Sequence, residues 1–144
     1  MKSDRSIALE LRTLRNMLQR QVDGFMNQKY GDQLTGMHGW VLKYFVDNQD
    51  KEIFQRDFEN KFTIRRSTAS KILQLMEKNN LIIRQSVPYD ARLKQIILTP
   101  TAHEYYEAII SKYAQIEQEL KKGLSQEELD NFFNVLDKIK SNLE

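Results

Sequence analysis

The chain has no cysteine and, in 144 residues, only two histidines, two prolines and five glycines. Without thiols there is no disulfide, no thiolate metal site and no thiol redox sensor. His38 and His103 are too few for a histidine-built metal cage, so neither a metal nor a cofactor is expected. No apolar run approaches the ~20 residues of a membrane-spanning helix. The opening stretch, MKSDRSIALELRTLRNMLQRQ, has the charge of a surface helix rather than of a secretory leader. The expectation is a cytoplasmic chain with no membrane partner. Gly-rich phosphate loops, paired histidines and a Ser, His and acid trio are also missing. Ser67 and Lys71 lie one helical turn apart, as in a Ser-Lys dyad, but on a helix face with no oxyanion hole. An enzyme is therefore not expected.

What is present suffices for one compact chain over 1–144, since 40% of the residues are hydrophobic. The net charge of +2 conceals an uneven distribution. Residues 1–53 hold 8 Lys/Arg against 7 Asp/Glu, residues 54–99 hold 9 against 4, and residues 100–144 hold 5 against 9. A basic middle beside an acidic end is expected when one segment faces a polyanion and another does not.

Hydrophobic periodicity predicts a mainly α chain with one small β-hairpin. Residues 6–29 read as a long helix with Ile7, Leu11, Leu14, Leu18, Val22 and Phe25 at helical spacing. YGDQLTG ends it, and Thr35 caps a second helix whose stripe is Met37, Trp40, Val41, Tyr44 and Phe45. Phe54, Phe58 and Phe62 mark a short third helix over 54–61. In RRSTASKILQLMEKN, residues 65–79, Ala69, Ile72, Leu73 and Met76 form the buried stripe of a fourth helix, which Asn79 and Asn80 end. LIIRQSV and LKQIIL flank PYDAR as two strands around a turn. Thr99 and Pro100 start a fifth helix, running roughly to Leu120. Ser125 and Glu128 form the capping box of a sixth. Its Leu129, Phe132, Leu136, Ile139 and Leu143 alternate in steps of three and four, a coiled-coil-like seam. Two short helices followed by a hairpin make a winged helix-turn-helix, in which the second helix of the pair is the reader.

A helix enters the major groove of DNA only if its outward face is slim and carries donors for base edges and phosphates. Ser67, Thr68, Ser70, Lys71 and Gln74 satisfy that requirement, and Arg65 and Arg66 stand where phosphate or guanine would be gripped. In the hairpin, Asp90, Arg92 and Lys94 are spaced by two. Regular strand alternation points them to one side, with Asp90 holding Arg92 while a cation reaches outward. A tip arginine held in this way suits the negative potential of a narrow minor groove. The alternative for such a basic face is a winged-helix module that binds an acidic protein without reading DNA.

The wing motif Asp90-Ala91-Arg92, the Leu98-Thr99 step into a long helix, and STASKILQLMEKNNLI at the reader position resemble the MarR family of winged-helix transcriptional regulators. The resemblance covers essentially the whole chain. Two departures are Ala91, where the family often has a second basic residue, and Ala102, where it often has glycine. The resemblance implies a homodimer built by the first, fifth and sixth helices (6–30 and 100–144), with Ile7, Leu11 and the Leu129, Phe132, Leu136, Ile139, Leu143 seam at the interface. Residues 35–99 would form the DNA-binding lobe. It further implies a repressor on palindromic double-stranded DNA, released by a small aromatic or lipophilic ligand. Arg15, Leu18, Met37, His38, Trp40 and Tyr44 are the expected lining of that ligand's pocket.

Overall fold

The computed structural model describes the backbone of residues 5–30 and 36–144 and the side chains of 5–25 and 37–144. The elements are α1 (Ile7–Tyr30), α2 (Gly36–Asp47), α3 (Gln55–Phe62), α4 (Arg66–Lys78), β1 (Ile82–Val87), β2 (Asp90–Leu98), α5 (Pro100–Lys121) and α6 (Gln126–Asn142). The expected order of four helices, a hairpin and two helices is the observed one. The expected cap at Thr35 lies outside the described residues. The chain divides into two compact units, Met1–Ile110 and Ser111–Glu144.

The first unit is organised around aromatic and aliphatic residues of α2, α3 and α4. Phe58 is fully buried on α3, its ring 5.7 Å from Phe45 and 5.4 Å from Phe62, both edge-on. Edge-to-face packing suits the aromatic quadrupole and fixes the angle between neighbouring helices. The α2 face differs from the expected stripe. His38, Val41, Leu42 and Phe45 are buried, whereas Met37 is exposed and Trp40 and Tyr44 are half-exposed. The apolar residues of α2 cover a wider arc than one packing face, so the pattern did not settle which of them go inside. Phe54 is the cap of α3 rather than its first turn: its N–H donates to Asp57 Oδ2 at 2.9 Å. The helix also runs one residue further than expected, to Phe62.

Between α3 and α4, Ile64 N–H donates to Glu59 O at 3.1 Å and Thr63 adopts φ 52°. The helix thus closes with a left-handed residue, the usual place for glycine or asparagine. A β-branched residue is strained there. Asn80 fills the matching position after α4 with φ 58°, and Leu81 N–H bonds Met76 O at 2.9 Å. Thr99 Oγ1 donates to Asn80 O at 2.6 Å and accepts from Ala102 N–H at 3.2 Å. One buried hydroxyl therefore closes the end of α4 and caps α5.

In the second unit, Ser125 Oγ accepts from Glu128 N–H at 3.1 Å, and Glu128 Oε1 accepts from Ser125 N–H at 2.9 Å. This is the expected capping box. No residue of α6 is buried.

Thr63 is exposed and loses no packing on replacement. Thr63→Asn should therefore raise the urea unfolding midpoint, by about 0.5–1 kcal/mol of stability. An unchanged or lower midpoint would show that the left-handed turn stores no strain.

Candidate nucleic-acid interface

Ala69, Leu73 and Met76 are fully buried on α4 and Ile72 is nearly so. Turning this stripe inward leaves Arg66, Ser67, Thr68, Lys71 and Gln74 exposed. Arg65 is the N-cap, also exposed, and contributes no side-chain bond to the first turn. Ser70 stands apart from its neighbours. It is half-buried and accepts a hydrogen bond from Gln55 Nε2 at 3.1 Å, so the Gln55 amide of α3 already engages this hydroxyl.

The hairpin departs from regular alternation. Ser86 pairs with Lys94, but the next residue, Val87, pairs with Asp90. One step on β1 thus spans four on β2, and Ala91, Arg92 and Leu93 bulge out opposite that single step. The bulge is closed by side chains: Ser86 Oγ donates to Ala91 O at 3.0 Å, and Asp90 Oδ1 accepts from Arg92 N–H at 3.0 Å. The same carboxylate oxygen meets Arg92 Nε at 3.3 Å. Asp90 therefore does hold Arg92, but through a local loop rather than through strand alternation. Bulges re-aim side chains, and the Arg92 side chain is 92% exposed. At the turn, Tyr89 Oη donates to Glu52 Oε2 at 2.8 Å, tying the hairpin tip to the connection between α2 and α3.

Between α3, α4 and the hairpin runs a cleft of about 410 Å³ lined by Gln55, Arg56, Glu59, Arg66, Arg84, Arg92 and Lys94, among others. Five cations face one carboxylate there. Arg66, Arg92 and Lys94 were expected at such a surface, whereas Gln55, Arg56 and Arg84 were missed. The basic excess over 54–99 included both arginines. Their signal was position: Arg56 follows the first residue of α3, and Arg84 alternates with Ile83 on the strand leading to the turn.

The expected ligand-lining residues are only partly brought together. Arg15, Leu18, Met37 and Trp40 line a cavity of about 130 Å³ with Gln19 and Val22. Tyr44 instead shares a separate depression with Trp40, Lys43 and Phe62. His38 is buried, at 7% exposure, and lines neither. At the expected dimer face, Ile7 and Leu11 are exposed on α1, as are Phe132 on α6 and Leu143 at its C-cap; Leu129, Leu136 and Ile139 are half-exposed. Among the described residues, no helix is long and apolar enough to cross a membrane, and no group of three His, Asp or Glu is placed to hold a metal ion.

A short helix pair whose second member presents polar residues, followed by a bulged hairpin with an exposed arginine near its tip, defines the winged helix-turn-helix class. Residues 32–93 match the model of the MarR family. The chain is 29% identical over 101 residues to an uncharacterized HTH-type transcriptional regulator of Staphylococcus aureus, covering 69% of this chain and 68% of that one. It is similar to S. aureus MepR in its DNA complex, with a TM-score of 0.88 and 26% identity over 96% of this chain and 97% of MepR. It is also similar to the transcription regulator MarR from Oenococcus oeni PSU-1, with a TM-score of 0.80 and 29% identity over 94% and 99% of the two chains. Residues 32–93 thus match the model of the MarR family, and the chain as a whole is similar in fold to winged-helix transcription regulators of that family.

Burial holds the pKa of His38 below the ordinary histidine value of 6.5. The unfolded chain then binds more protons than the folded one as pH falls through that value. The stability His38 contributes is thus present above it and lost below it. The urea midpoint should fall from about pH 7 to about pH 5, and His38→Gln should flatten part of that fall. An equal fall in the variant would place the proton uptake elsewhere.

Proposed function

We propose that the chain is a homodimeric repressor that binds a palindromic DNA site through α4 and the hairpin and is released by a small aromatic anion. The observation that carries this reading is the two-sided α4: one side is buried, and the other exposes Ser67, Thr68, Lys71 and Gln74 beside the basic cleft. Gln is suited to bond adenine in two places, and the Thr methyl to touch thymine. Arg65, Arg66, Lys71 and Arg56 supply phosphate contacts, and these position without specifying. Arg92 enters the minor groove, with Lys94 behind it on the flanking backbone. Support comes also from MepR, which has been solved on DNA.

Residues 35–99 serve as the DNA-binding lobe, and 6–30 with 100–144 as the dimerisation segments. Ile7, at 63% exposure, and Leu143, at 84%, belong to apolar stripes too long to be left in water by a soluble monomer. A second copy covers them, and its own reader helix then faces the next major groove. The ligand enters the cavity between α1 and α2, where Arg15 pairs its charge and Trp40 and Met37 hold its ring. At about 130 Å³ the cavity is smaller than most ligand sites. Binding therefore favours a conformation with the cavity opened, and derepression requires that this conformation separate the reader helices from their half-site spacing.

The test is a gel shift on the DNA upstream of the chain's own coding sequence against unrelated DNA, at two salt concentrations. Selective binding that weakens with salt is expected. Equal binding to both DNAs would overturn the reading and leave a basic module for an acidic protein. Arg92→Ala should weaken selective binding roughly tenfold while leaving the urea midpoint in place, because an exposed ion pair adds little to folding. Unchanged affinity would remove the hairpin from the interface. Leu136→Glu should convert the dimer to monomer in sedimentation velocity; a surviving dimer would move the interface off the α6 seam.

A further inference from the structure

Arg84 differs from the other cations of the basic cleft. Arg56, Arg66, Arg92 and Lys94 are exposed, whereas the Arg84 side chain is only 25% exposed. Its Nη1 donates to Gln55 Oε1 at 3.3 Å, and its Nε lies 3.3 Å from Glu77 Oε1 on α4. Gln55 turns its Nε2 to Ser70 Oγ at 3.1 Å and to Glu59 Oε2 at 3.0 Å. This amide orientation follows from chemistry: the guanidinium has no acceptor and the Glu59 carboxylate no donor, so Oε1 must face Arg84 and Nε2 must face Glu59. One residue of β1 is thereby joined to α4 at Glu77 near its end and, through Gln55, at Ser70 in its first turns.

The hairpin has backbone attachments to the start of α3, where Ile96 N–H bonds Ile53 O at 2.7 Å and Phe54 bridges Gln95. Toward α4, the Thr99 hydroxyl just past β2 bonds Asn80 O beyond the helix end, and the side-chain connection from within the strands runs through Arg84. Reading a major groove with α4 and a minor groove with Arg92 at once requires their relative placement to be held closely, since a contact geometry off by an ångström is lost.

We propose that Arg84, with Gln55 as its partner, is a positioning residue that locks the hairpin to the reader helix and so sets sequence selectivity, without itself contacting DNA. This rests on the DNA-binding reading above. Loss of the lock lets the two reading elements move independently. Selective contacts, which need both at once, weaken, while phosphate attraction does not.

The test compares wild type with Arg84→Met, Gln55→Leu and the double variant on a duplex enriched by in vitro selection and on an unrelated duplex, over a salt series. Each single variant should lose roughly tenfold in the selected-to-unrelated ratio, and the double variant no more than either, because the two residues act as one unit. Binding to the unrelated duplex and its salt slope should stay as in wild type. A direct phosphate contact predicts the opposite: Arg84→Met weakens both duplexes alike and lowers the salt slope by about one, while uncharged Gln55 has no effect. That result would overturn the proposal. Hydrogen exchange of the free protein reads the lock without DNA. Hairpin amides and those of the first turn of α4 should exchange faster in both single variants at an unchanged urea midpoint, and unaltered exchange would also overturn it. A wild type that selects no sequence would sink the DNA-binding reading itself, while the exchange result would still decide the lock.

Discussion

Burial of Ala69, Ile72, Leu73 and Met76 is the constraint on which the rest of the proposed DNA-binding surface depends. Fully burying a leucine or methionine side chain stabilises by about 1.5–3 kcal/mol. Rolling α4 enough to expose Leu73 and Met76 would thus cost several kcal/mol, more than exposed polar contacts return. The helix has one orientation, and Ser67, Lys71 and Gln74 inherit theirs from it. Phe58 completes the arrangement from the other side, since its edge-on contact with Phe45 of α2 sets where α3 lies and hence where α4 can pack.

The hairpin solves a different problem. A paired strand keeps its side chains close to the sheet, whereas an arginine proposed to enter a groove must stand away from it. The bulge at Ala91, Arg92 and Leu93 breaks the pairing, and Asp90 and Ser86 take over the backbone groups that the break would leave open. Asp90 also lies against the arginine it orients. The pair contributes little in water, where screening is strong. In a narrow minor groove the same guanidinium meets a much larger field.

Much of this was legible in the sequence, and the failures have physical causes. The α4 stripe, the Ser125 and Glu128 box, the Thr99 cap and the order of elements depend on local periodicity or on residues within four positions of each other. They were read correctly. The α2 face was misjudged because the apolar residues of that helix are too many for periodicity to choose among them; Leu42 is buried while Met37 is not. The bulge was invisible because strand alternation assumes a regular ladder, and the partner of Val87 is a tertiary fact. Gln55 and Arg84 meet across 29 positions of sequence, a separation that no local pattern encodes. For the candidate site, the sequence marked the exposed cations of α4 and the hairpin. The half-buried network behind them became visible only with the fold.

The most direct test of the central claim is hydroxyl-radical footprinting of the protein on a DNA site it selects. Two reader helices related by a two-fold axis, each flanked by a hairpin, predict protected blocks symmetric about one centre, with half-sites one helical turn, about 10–10.5 base pairs, apart. A single protected block, or uniform weak protection along the duplex, would contradict the account.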